Sequence, residues 1–331
     1  MADGARGVRV AGCSRLNGLD DVLVVTVRKS FWASPEAERW PRRLYAHVLY
    51  GHSTGLLNSA LVFVRALAAI WQRPPSLVLL GSVERTVPWF IRARRLGLLR
   101  GAKLVVTNQL NLSADQLAHV DRVIVYASAQ AAQLGPKGAF VRLPADGDFA
   151  EARRSASTGD YVFSGGGAGR DFPTLIRAAD GVGVRFELVV FDRHLGDVPP
   201  NVVVSGPLSQ SDFLAKMAGA SIVVVAITGR DSPHGQTTLV QALALGKPVV
   251  ATRSVGTVDY VEDGREGLLV EPKDVAALQT AIRRLLADDE FRARCAANSA
   301  LRGRLLSYAD FAKGLADICF AALGTSTAQR S

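Results

Sequence analysis

The stretch that decides the fold spans residues 231–273, DSPHGQTTLVQALALGKPVVATRSVGTVDYVEDGREGLLVEPK. A predicted strand ends before it, near Ile227, and a predicted helix opens at Gly235. The first N–H groups of a helix lack backbone partners and carry the positive end of its macrodipole, so a helix start attracts anions. Gly235 lets an anion approach the backbone, and the Thr237 and Thr238 hydroxyls can donate to it. A diphosphate fits such a helix start, but the pattern taken alone favours the simpler interpretation, in which Thr237 caps the helix.

Outward from this stretch, short apolar strands alternate with helical segments in both halves of the chain. Such strands are typical of parallel sheets buried on both faces, so we predict an α/β fold with two Rossmann-like domains facing each other across a cleft. The predicted strands lie at residues 21–27, 76–80, 103–108, 122–127, 139–143, 161–165, 185–191, 201–206, 221–227 and 247–252. The predicted domains are residues 1–150 and 151–305, joined by a polar linker at 144–160. Residues 306–331 are predicted to form a helix that can pack back on the first domain, with a frayed tail.

The chain has 331 residues and a formal net charge of +9, and the excess charge lies in its first half. Residues 1–150 carry 19 Lys/Arg against 10 Asp/Glu, whereas residues 151–331 carry 20 of each. A domain with a field of one sign attracts anionic partners. An anionic membrane surface and a phosphorylated small molecule both fit, and so does a plain solubility role. Because no nucleic-acid-binding motif accompanies the charge, we expect no nucleic-acid partner.

The composition argues against several classes of protein. Apolar residues make up 48% and charged residues 21% of the chain, which is typical of a globular protein. The longest apolar stretch, residues 56–71, contains Asn58 and Arg65 and is shorter than the ~20 residues of a membrane span. Three widely separated cysteines predict neither a disulfide framework nor a zinc site, and the N-terminus has no apolar signal core. We therefore expect a cytoplasmic protein with no metal site and no cofactor.

Two segments of the second half carry a family resemblance. GQTTLVQALALGKPVVAT (235–252), followed by DYVEDGREGLLVEPKD (259–274), resembles the donor half of GT-B glycosyltransferases, in particular the retaining family 4 group. YVFSGGGAGRDFPTLIRAA (161–179) resembles the strand, glycine loop and helix that open that half. The resemblance implies a nucleotide-diphosphate sugar as donor, a hydroxyl acceptor on the N-terminal half, retention of configuration and no metal ion. It also implies that the cleft closes during the reaction.

The chain departs from this family at residues that usually hold the donor. The family's two glutamates, eight positions apart, correspond here to Pro233 and Gln241. Gln241 can still hydrogen-bond a ribose hydroxyl, as the glutamate does in the family. The sugar contact of the first glutamate is lost or moves to His234 or Asp231.

Arg170 is the strongest candidate for a catalytic residue. The family's glycine loop carries an arginine and a lysine, which correspond here to Gly166 and Arg170. A guanidinium binds phosphate oxygens with two hydrogen bonds, so Arg170 is predicted to stabilise the departing diphosphate. An ion pair with the neighbouring Asp171 is the alternative. The family's N-domain histidine corresponds to Asn108, and His52 can line the cleft, so both are further catalytic candidates.

The resemblance thus predicts a donor site residue by residue. The diphosphate is expected at Gly165, Gly166, Arg170, His234, Gly235, Gln236, Thr237 and Thr238. The nucleoside is expected at Gly206, Leu208 and Gln241, because GPLSQSDF (206–213) resembles the family's base-facing loop. Catalysis is expected at Arg170, Asn108 and His52.

These observations predict a glycosyltransferase that moves a sugar from a nucleotide-diphosphate sugar to a hydroxyl of a lipid, a glycan precursor or a natural-product scaffold. The basic and aromatic segment 28–52 is expected to contact the acceptor or an anionic membrane surface. Two other classes of protein stay open. One is a nucleotide-sugar-binding protein that has lost its activity, in view of Gly166, Pro233 and Gln241. The other is a peripheral membrane or polyanion-binding module, in view of the charge of the first half.

Overall fold

The structure, a computed structural model, describes residues 22–26, 43–45, 56–81, 84–108, 111–157, 159–191 and 195–324. These residues divide into two compact units, each built around a six-stranded sheet. The first unit holds the described residues up to Val125, Ala131–Ala139 and those from Ala312 onward. The second unit holds Tyr126–Gln130 and Phe140–Phe311. The predicted α/β class with two parallel sheets is confirmed.

The first sheet has the strand order β2-β1-β3-β4-β5-β6. Its strands and the neighbouring helices are β1 (Val22–Thr26), β2 (Arg43–Tyr45), α1 (Leu56–Gln72), β3 (Leu77–Gly81), α2 (Val87–Arg95), β4 (Lys103–Thr107), α3 (Ala114–Ala118), β5 (Arg122–Val125), α4 (Ser128–Gln133) and β6 (Gly138–Phe140). Single 3₁₀ turns lie at Glu84–Thr86 and Gly135–Lys137. Strand β2 was not predicted and lies inside the basic and aromatic segment 28–52. Helices α1 and α2 bury Val62, Ala66, Ile70, Phe90 and Ile91 in one core with this sheet.

The second sheet has the order β12-β11-β10-β7-β8-β9, and all of its strand pairs are parallel. Its elements are α5 (Phe149–Ser155), β7 (Tyr161–Gly166), α6 (Phe172–Ala179), β8 (Arg185–Val190), β9 (Val202–Ser205), α7 (Gln210–Gly219), β10 (Ile222–Val225), α8 (Gln236–Ala244), β11 (Val249–Thr252), β12 (Gly267–Val270), α9 (Val275–Ala287), α10 (Asp289–Arg304) and α11 (Tyr308–Leu323). Helix α11 passes from the second unit into the first at Ala312.

The second sheet is apolar on both faces because both faces carry a core. Successive residues of β7 enter opposite cores: Val162 packs in one cluster and Phe163 in the other. Strand β10 follows the same alternation with Val223 and Val224, and all four of its residues are buried. A strand that is buried on both faces reads as a continuous apolar run, which is why these strands could be predicted.

The order of the second sheet reverses between β7 and β10. From β7 the chain moves to β8 and β9 on one side, and then returns to β10 on the other side. In open α/β sheets a crevice forms at such a switch point, at the carboxyl ends of the strands, and ligands bind there. The loops that follow Gly166 and Val225 meet at this point.

Residues 144–160, predicted as a linker, contain helix α5, and the side chain of Asp148 caps that helix by accepting the Glu151 N–H at 2.8 Å. This segment belongs to the second unit. The compact units meet along the chain near residue 140, whereas the sequence predicts a boundary at residue 150. Among the described residues, no helix combines the length and the apolar character that crossing a bilayer requires.

Tyr260 holds two distant backbone segments of the second unit. Its ring is fully buried, and its hydroxyl accepts the Leu143 N–H and donates to the Tyr126 carbonyl, both at 2.9 Å. Burial raises the pKa of the Tyr260 phenol, so the hydroxyl keeps its proton at neutral pH.

We predict that Tyr260→Phe lowers the free energy of unfolding by about 1–2 kcal/mol, because a donor and an acceptor lose their partner. The measurement is urea unfolding of the whole chain. Tyr161→Phe is the matched control, since it removes a single hydrogen bond, to the Lys216 carbonyl. The expected loss is larger for Tyr260→Phe, and an equal or smaller loss would contradict the proposed anchoring.

Candidate functional site

The site begins where two loops of the second unit pair through their backbones. The Asp171 N–H donates to the Ala226 carbonyl, and the Thr228 N–H donates to the Gly169 carbonyl, both at 3.0 Å. Arg170 and Ile227 form an isolated antiparallel bridge between these contacts. The glycine loop after β7 is therefore fixed to the segment after β10, at the switch point of the sheet.

The side chain of Arg170 lies beneath this loop. Arg170 is 4% exposed, its Nε donates to the Gly165 carbonyl at 2.9 Å, and its Nη2 donates to Thr238 Oγ1 at 2.7 Å. The Thr238 hydroxyl in turn donates to the Gly165 carbonyl at 3.3 Å. Burial lowers the pKa of Arg170 to about 10, so the group keeps its charge at neutral pH. Arg170 thus joins the end of β7 to the first turn of α8.

Two glycines with left-handed backbones pack on this guanidinium. Gly166 has φ +127°, and a Cβ there would lie 2.8 Å from Arg170 Nε. Gly235 has φ +97°, and a Cβ there would lie 2.9 Å from Ile227 Cδ1 and 3.1 Å from Arg170 Nη1. Both positions need glycine for two reasons, the backbone angle and the missing space.

Helix α8 starts differently from its neighbours. Gly235 is its N-cap residue, and no side chain caps the helix. Thr237 is therefore not the cap, and the capping interpretation is wrong. In contrast, helices α5, α6, α7, α9 and α10 are each capped by the side chain of an aspartate or serine, namely Asp148, Asp171, Ser209, Asp274 and Asp288.

Asp171 therefore has a role at α6: its carboxylate accepts the Thr174 N–H at 3.1 Å and the Thr174 hydroxyl at 2.8 Å. The amide groups at the start of α8 have no such side-chain acceptor. With the positive end of the helix macrodipole, they form the kind of place that binds an anion.

His234 and Gln236 flank the start of α8. His234 is exposed, its Nδ1 lies 2.8 Å from Ser232 Oγ, and a Cβ on Gly169 would lie 2.6 Å from that nitrogen. The Gln236 side chain donates to the Tyr126 carbonyl at 3.0 Å. Both residues lie beside the α8 start, and contact of either with a diphosphate stays a prediction.

Two of the predicted nucleoside residues lie between β9 and α7, and the third lies within α8. Gly206 is exposed and directly follows β9, whereas Leu208 packs partly on one core of the sheet. Gln241 is buried, and its side-chain amide donates to the Asp146 carbonyl at 3.1 Å. Its bond to a ribose stays a prediction.

The sequence reasoning missed Phe191, which directly follows β8. Its side chain is 40% exposed, and its ring centre lies 6.2 Å from that of Phe213. Phe213 is buried against Phe163, at 5.2 Å between ring centres, and a Cβ on Gly165 would lie 2.5 Å from its ring. A Cβ on Gly167 would contact Phe191 at 3.4 Å. An aromatic side chain that is partly exposed therefore stands beside the glycine loop.

The remaining catalytic candidates belong to the first half of the chain. Asn108 follows β4, is exposed, and has a left-handed backbone at φ +53°. Its N–H donates to the Ile124 carbonyl at 2.7 Å. His52 lies outside the described residues. Neither catalytic role is tested, and both stay predictions.

A comparison with models of protein families matches part of the second unit. Residues 172–288 match the model of the family Glycosyl transferases group 1. The match covers 117 of the 331 residues and lies within the second unit. The matched residues include α6, the predicted nucleoside residues Gly206, Leu208 and Gln241, and the start of α8.

Curated relatives are similar to part of the chain. A D-inositol 3-phosphate glycosyltransferase from Nocardioides sp. is 34% identical over 123 residues, which is 37% of this chain and 26% of the relative. A probable sucrose-phosphate synthase from Solanum tuberosum is 40% identical over 76 residues, 23% of this chain and 7% of the relative. The matches thus span about a quarter or less of these relatives.

Solved structures match nearly the whole chain. Anabaena HepE (Alr3699) in complex with UDP has a TM-score of 0.66 at 16% identity, covering 91% of this chain and 100% of that one. The sucrose-phosphate synthase (tll1590) from Thermosynechococcus elongatus has a TM-score of 0.63 at 19% identity, covering 91% and 89%. The fold predicted from the sequence, that of the GT-B glycosyltransferases, is therefore confirmed.

We predict that Gly235→Ala lowers the free energy of unfolding by about 1–3 kcal/mol, because a side chain there is strained and short of space. Thermal or urea unfolding measures the loss. Gly183→Ala is the control, since its Cβ would meet nothing within 4 Å and its φ is not left-handed. We expect the control to change stability by less than about 0.5 kcal/mol. Equal stability of the two variants would show that the α8 start does not need its left-handed residue.

Proposed function

We propose that this protein is a glycosyltransferase that moves a sugar from a nucleotide-diphosphate sugar to a hydroxyl acceptor, with retention of configuration. The observation that carries the proposal is the start of α8, which has no side-chain cap and lies against the glycine loop at the switch point of the second sheet. The match to the group 1 family supports the same reaction class.

The donor diphosphate is proposed to lie on the N–H groups of Gly235, Gln236 and Thr237. Thr237 is exposed and its hydroxyl can donate to a phosphate oxygen. Negative charge grows on the diphosphate as the bond to the sugar breaks, and fixed amide dipoles stabilise that charge without rearranging. In this proposal the helix start and the charge of Arg170 supply the positive potential, and no divalent ion is required.

Arg170 supports this site from below. Its two hydrogen bonds hold the Gly165 carbonyl and the Thr238 hydroxyl, and through them the two backbones that face the diphosphate. We propose that Arg170 is a positioning residue, and that its charge also stabilises the leaving diphosphate. Lysine retains the charge but lacks the planar fork that reaches both acceptors.

A uridine nucleotide is the first donor to test, because the solved structures of HepE include complexes with UDP and with UDP-glucose. The acceptor is proposed to be a lipid, a glycan precursor or a natural-product scaffold bound by the basic first half. A cytoplasmic place for the reaction, expected from the cysteine pattern, is part of the same proposal.

A second candidate function is nucleotide-sugar binding without transfer. Pro233 and Gln241 replace two carboxylates of the family, and the Gln241 amide is already hydrogen-bonded to the Asp146 carbonyl. Incubation of the purified protein with a donor that it binds distinguishes the two candidates. Release of the nucleoside diphosphate, with transfer to an acceptor or to water, supports the enzyme.

We predict that UDP raises the melting temperature of the protein, because a ligand that binds only the folded state stabilises it. The experiment compares UDP, GDP, ADP and inorganic pyrophosphate. Arg170→Lys is expected to weaken the Kd for UDP by about tenfold, the effect of a loss of about 1.4 kcal/mol. Arg294→Lys is the matched control, since this arginine pairs with Glu290 on the surface of α10.

The diphosphate assignment fails if none of the four ligands shifts the melting temperature of the wild type. It also fails if Arg170→Lys, folded as judged by circular dichroism, binds UDP as tightly as Arg294→Lys. Thr238→Val is the second variant, because it removes the hydroxyl that accepts from Arg170 while conserving side-chain volume.

Phe191 is proposed to stack on the base of the donor. Bases stack on aromatic side chains with about 1–3 kcal/mol per base, so Phe191→Leu is expected to weaken the Kd for UDP by about tenfold. Binding of pyrophosphate, which has no base, is expected to stay unchanged. Phe191→Tyr is the control that retains the ring. Isothermal titration calorimetry measures the Kd of UDP and of pyrophosphate for the wild type and for both variants. An equal loss of affinity for UDP and for pyrophosphate in Phe191→Leu would overturn the stacking role.

A further inference from the structure

Helix α1 of the first unit is apolar on two opposite faces. One face packs into the core through Val62, Ala66 and Ile70. The other face carries Leu61, Val64, Ala68 and Trp71, here called the apolar row, at spacings of three, four and three residues. Residues at these spacings lie along one side of a helix.

The apolar row is exposed. Leu61 is 38% exposed, Val64 60% and Trp71 55%, and Ala68 is exposed as well. Leu56, at the start of the helix, is 67% exposed. Single exposed apolar residues need no explanation, but a row of them along three turns of one helix indicates a surface that meets an apolar phase or a partner.

Two arginines adjoin the apolar row. Arg94, Arg95 and Lys103 of the same unit form ion pairs with Asp121 or Asp115 and are not counted with these two. Arg65 is exposed and adjoins Val64, and the Arg100 guanidinium lies 5.4 Å from the centre of the Trp71 ring. Arginine therefore stands both beside the middle of the row and over its last residue.

We propose that the apolar row and its arginines dock the first unit on an anionic phospholipid surface. Apolar side chains on one helix face enter the boundary between headgroups and acyl chains, and tryptophan and arginine favour that boundary. The anionic headgroups attract the arginines, so the two interactions act on the same face. This inference does not rest on the proposed sugar transfer.

A second copy of the chain fits this face less well. A stable protein interface buries about 800 Å² per partner, and one helix face with four side chains supplies only a part of that area. The arginines of two copies would also repel each other. The positive charge of Arg65 and Arg100 beside the row instead matches a surface that is negative over its whole extent.

The test is flotation of the full chain with two kinds of vesicle, pure phosphatidylcholine and phosphatidylcholine with phosphatidylglycerol in equal parts. We expect binding to the mixed vesicles at low salt, weaker binding at high salt, and little binding to phosphatidylcholine alone. The double variant Val64→Ser with Trp71→Ser is expected to lower the partition coefficient on mixed vesicles by about tenfold. The pair Arg65→Gln with Arg100→Gln is expected to remove the preference for mixed vesicles.

The matched control is Leu301→Ser with Leu305→Ser, since these side chains are 55% and 63% exposed at the end of α10 in the second unit. It should bind vesicles like the wild type. The proposal is overturned if the wild-type protein floats with neither kind of vesicle. It is also overturned if the Val64/Trp71 variant binds vesicles as well as the control does. A concentration-dependent dimer in light scattering, abolished by the Val64/Trp71 variant, would assign the face to a second copy instead.

Discussion

The second unit depends on one buried cation. The guanidinium of Arg170 is removed from water, which costs several kcal/mol for a charged group unless its hydrogen bonds are replaced. The Gly165 carbonyl and the Thr238 hydroxyl are two of the replacements, and Arg170 and Thr238 are 68 positions apart in the sequence. Because the charge is stable only while these groups stay in place, it fixes the end of β7 and the start of α8 relative to each other. Gly166 and Gly235 pack against this guanidinium, and a side chain at either position would take the space that the buried Arg170 needs.

The chain departs at three positions from the family that it resembles, and the packing around Arg170 accounts for one of these departures. The arginine that the family has in its glycine loop is replaced by Gly166, which leaves space for the Arg170 side chain to lie under the loop. Pro233 and Gln241 in place of two glutamates remove negative charge from the neighbourhood of the α8 start. Positive potential then comes from amide dipoles and one buried cation, which salt screens less than exposed lysines.

The sequence predicted the parts of the structure that depend on local pattern. Valine-rich strands buried on both faces, and the helix that opens at Gly235, are properties of neighbouring residues and were found. The sequence did not predict strand β2, because three residues within a basic and aromatic segment are too few to show the alternation of apolar and polar residues that marks a strand. The linker prediction failed at α5, since polar residues on a short helix resemble those of a loop.

The sequence names residues of the candidate site but not their contacts. The role of Arg170 at a diphosphate stays a prediction, and its hydrogen bond to Thr238 joins two elements that only the folded sheet brings together. Phe191 was hidden, because it ends the apolar run of β8 and looks like one more strand residue. An aromatic residue at the carboxyl end of a strand next to a switch point is the signal that could have revealed it.

The path of the chain has a practical consequence for dissecting the protein. Tyr126–Gln130 belongs to the second unit although the residues before and after it belong to the first. A fragment that begins at Phe140 would lack the Tyr126 carbonyl, which accepts from both Tyr260 and Gln236, and Ser128, which donates to Asp259. Truncation at a single point therefore cannot excise the second unit intact; a two-piece complementation system or a circular permutant would have to carry this five-residue insert with it.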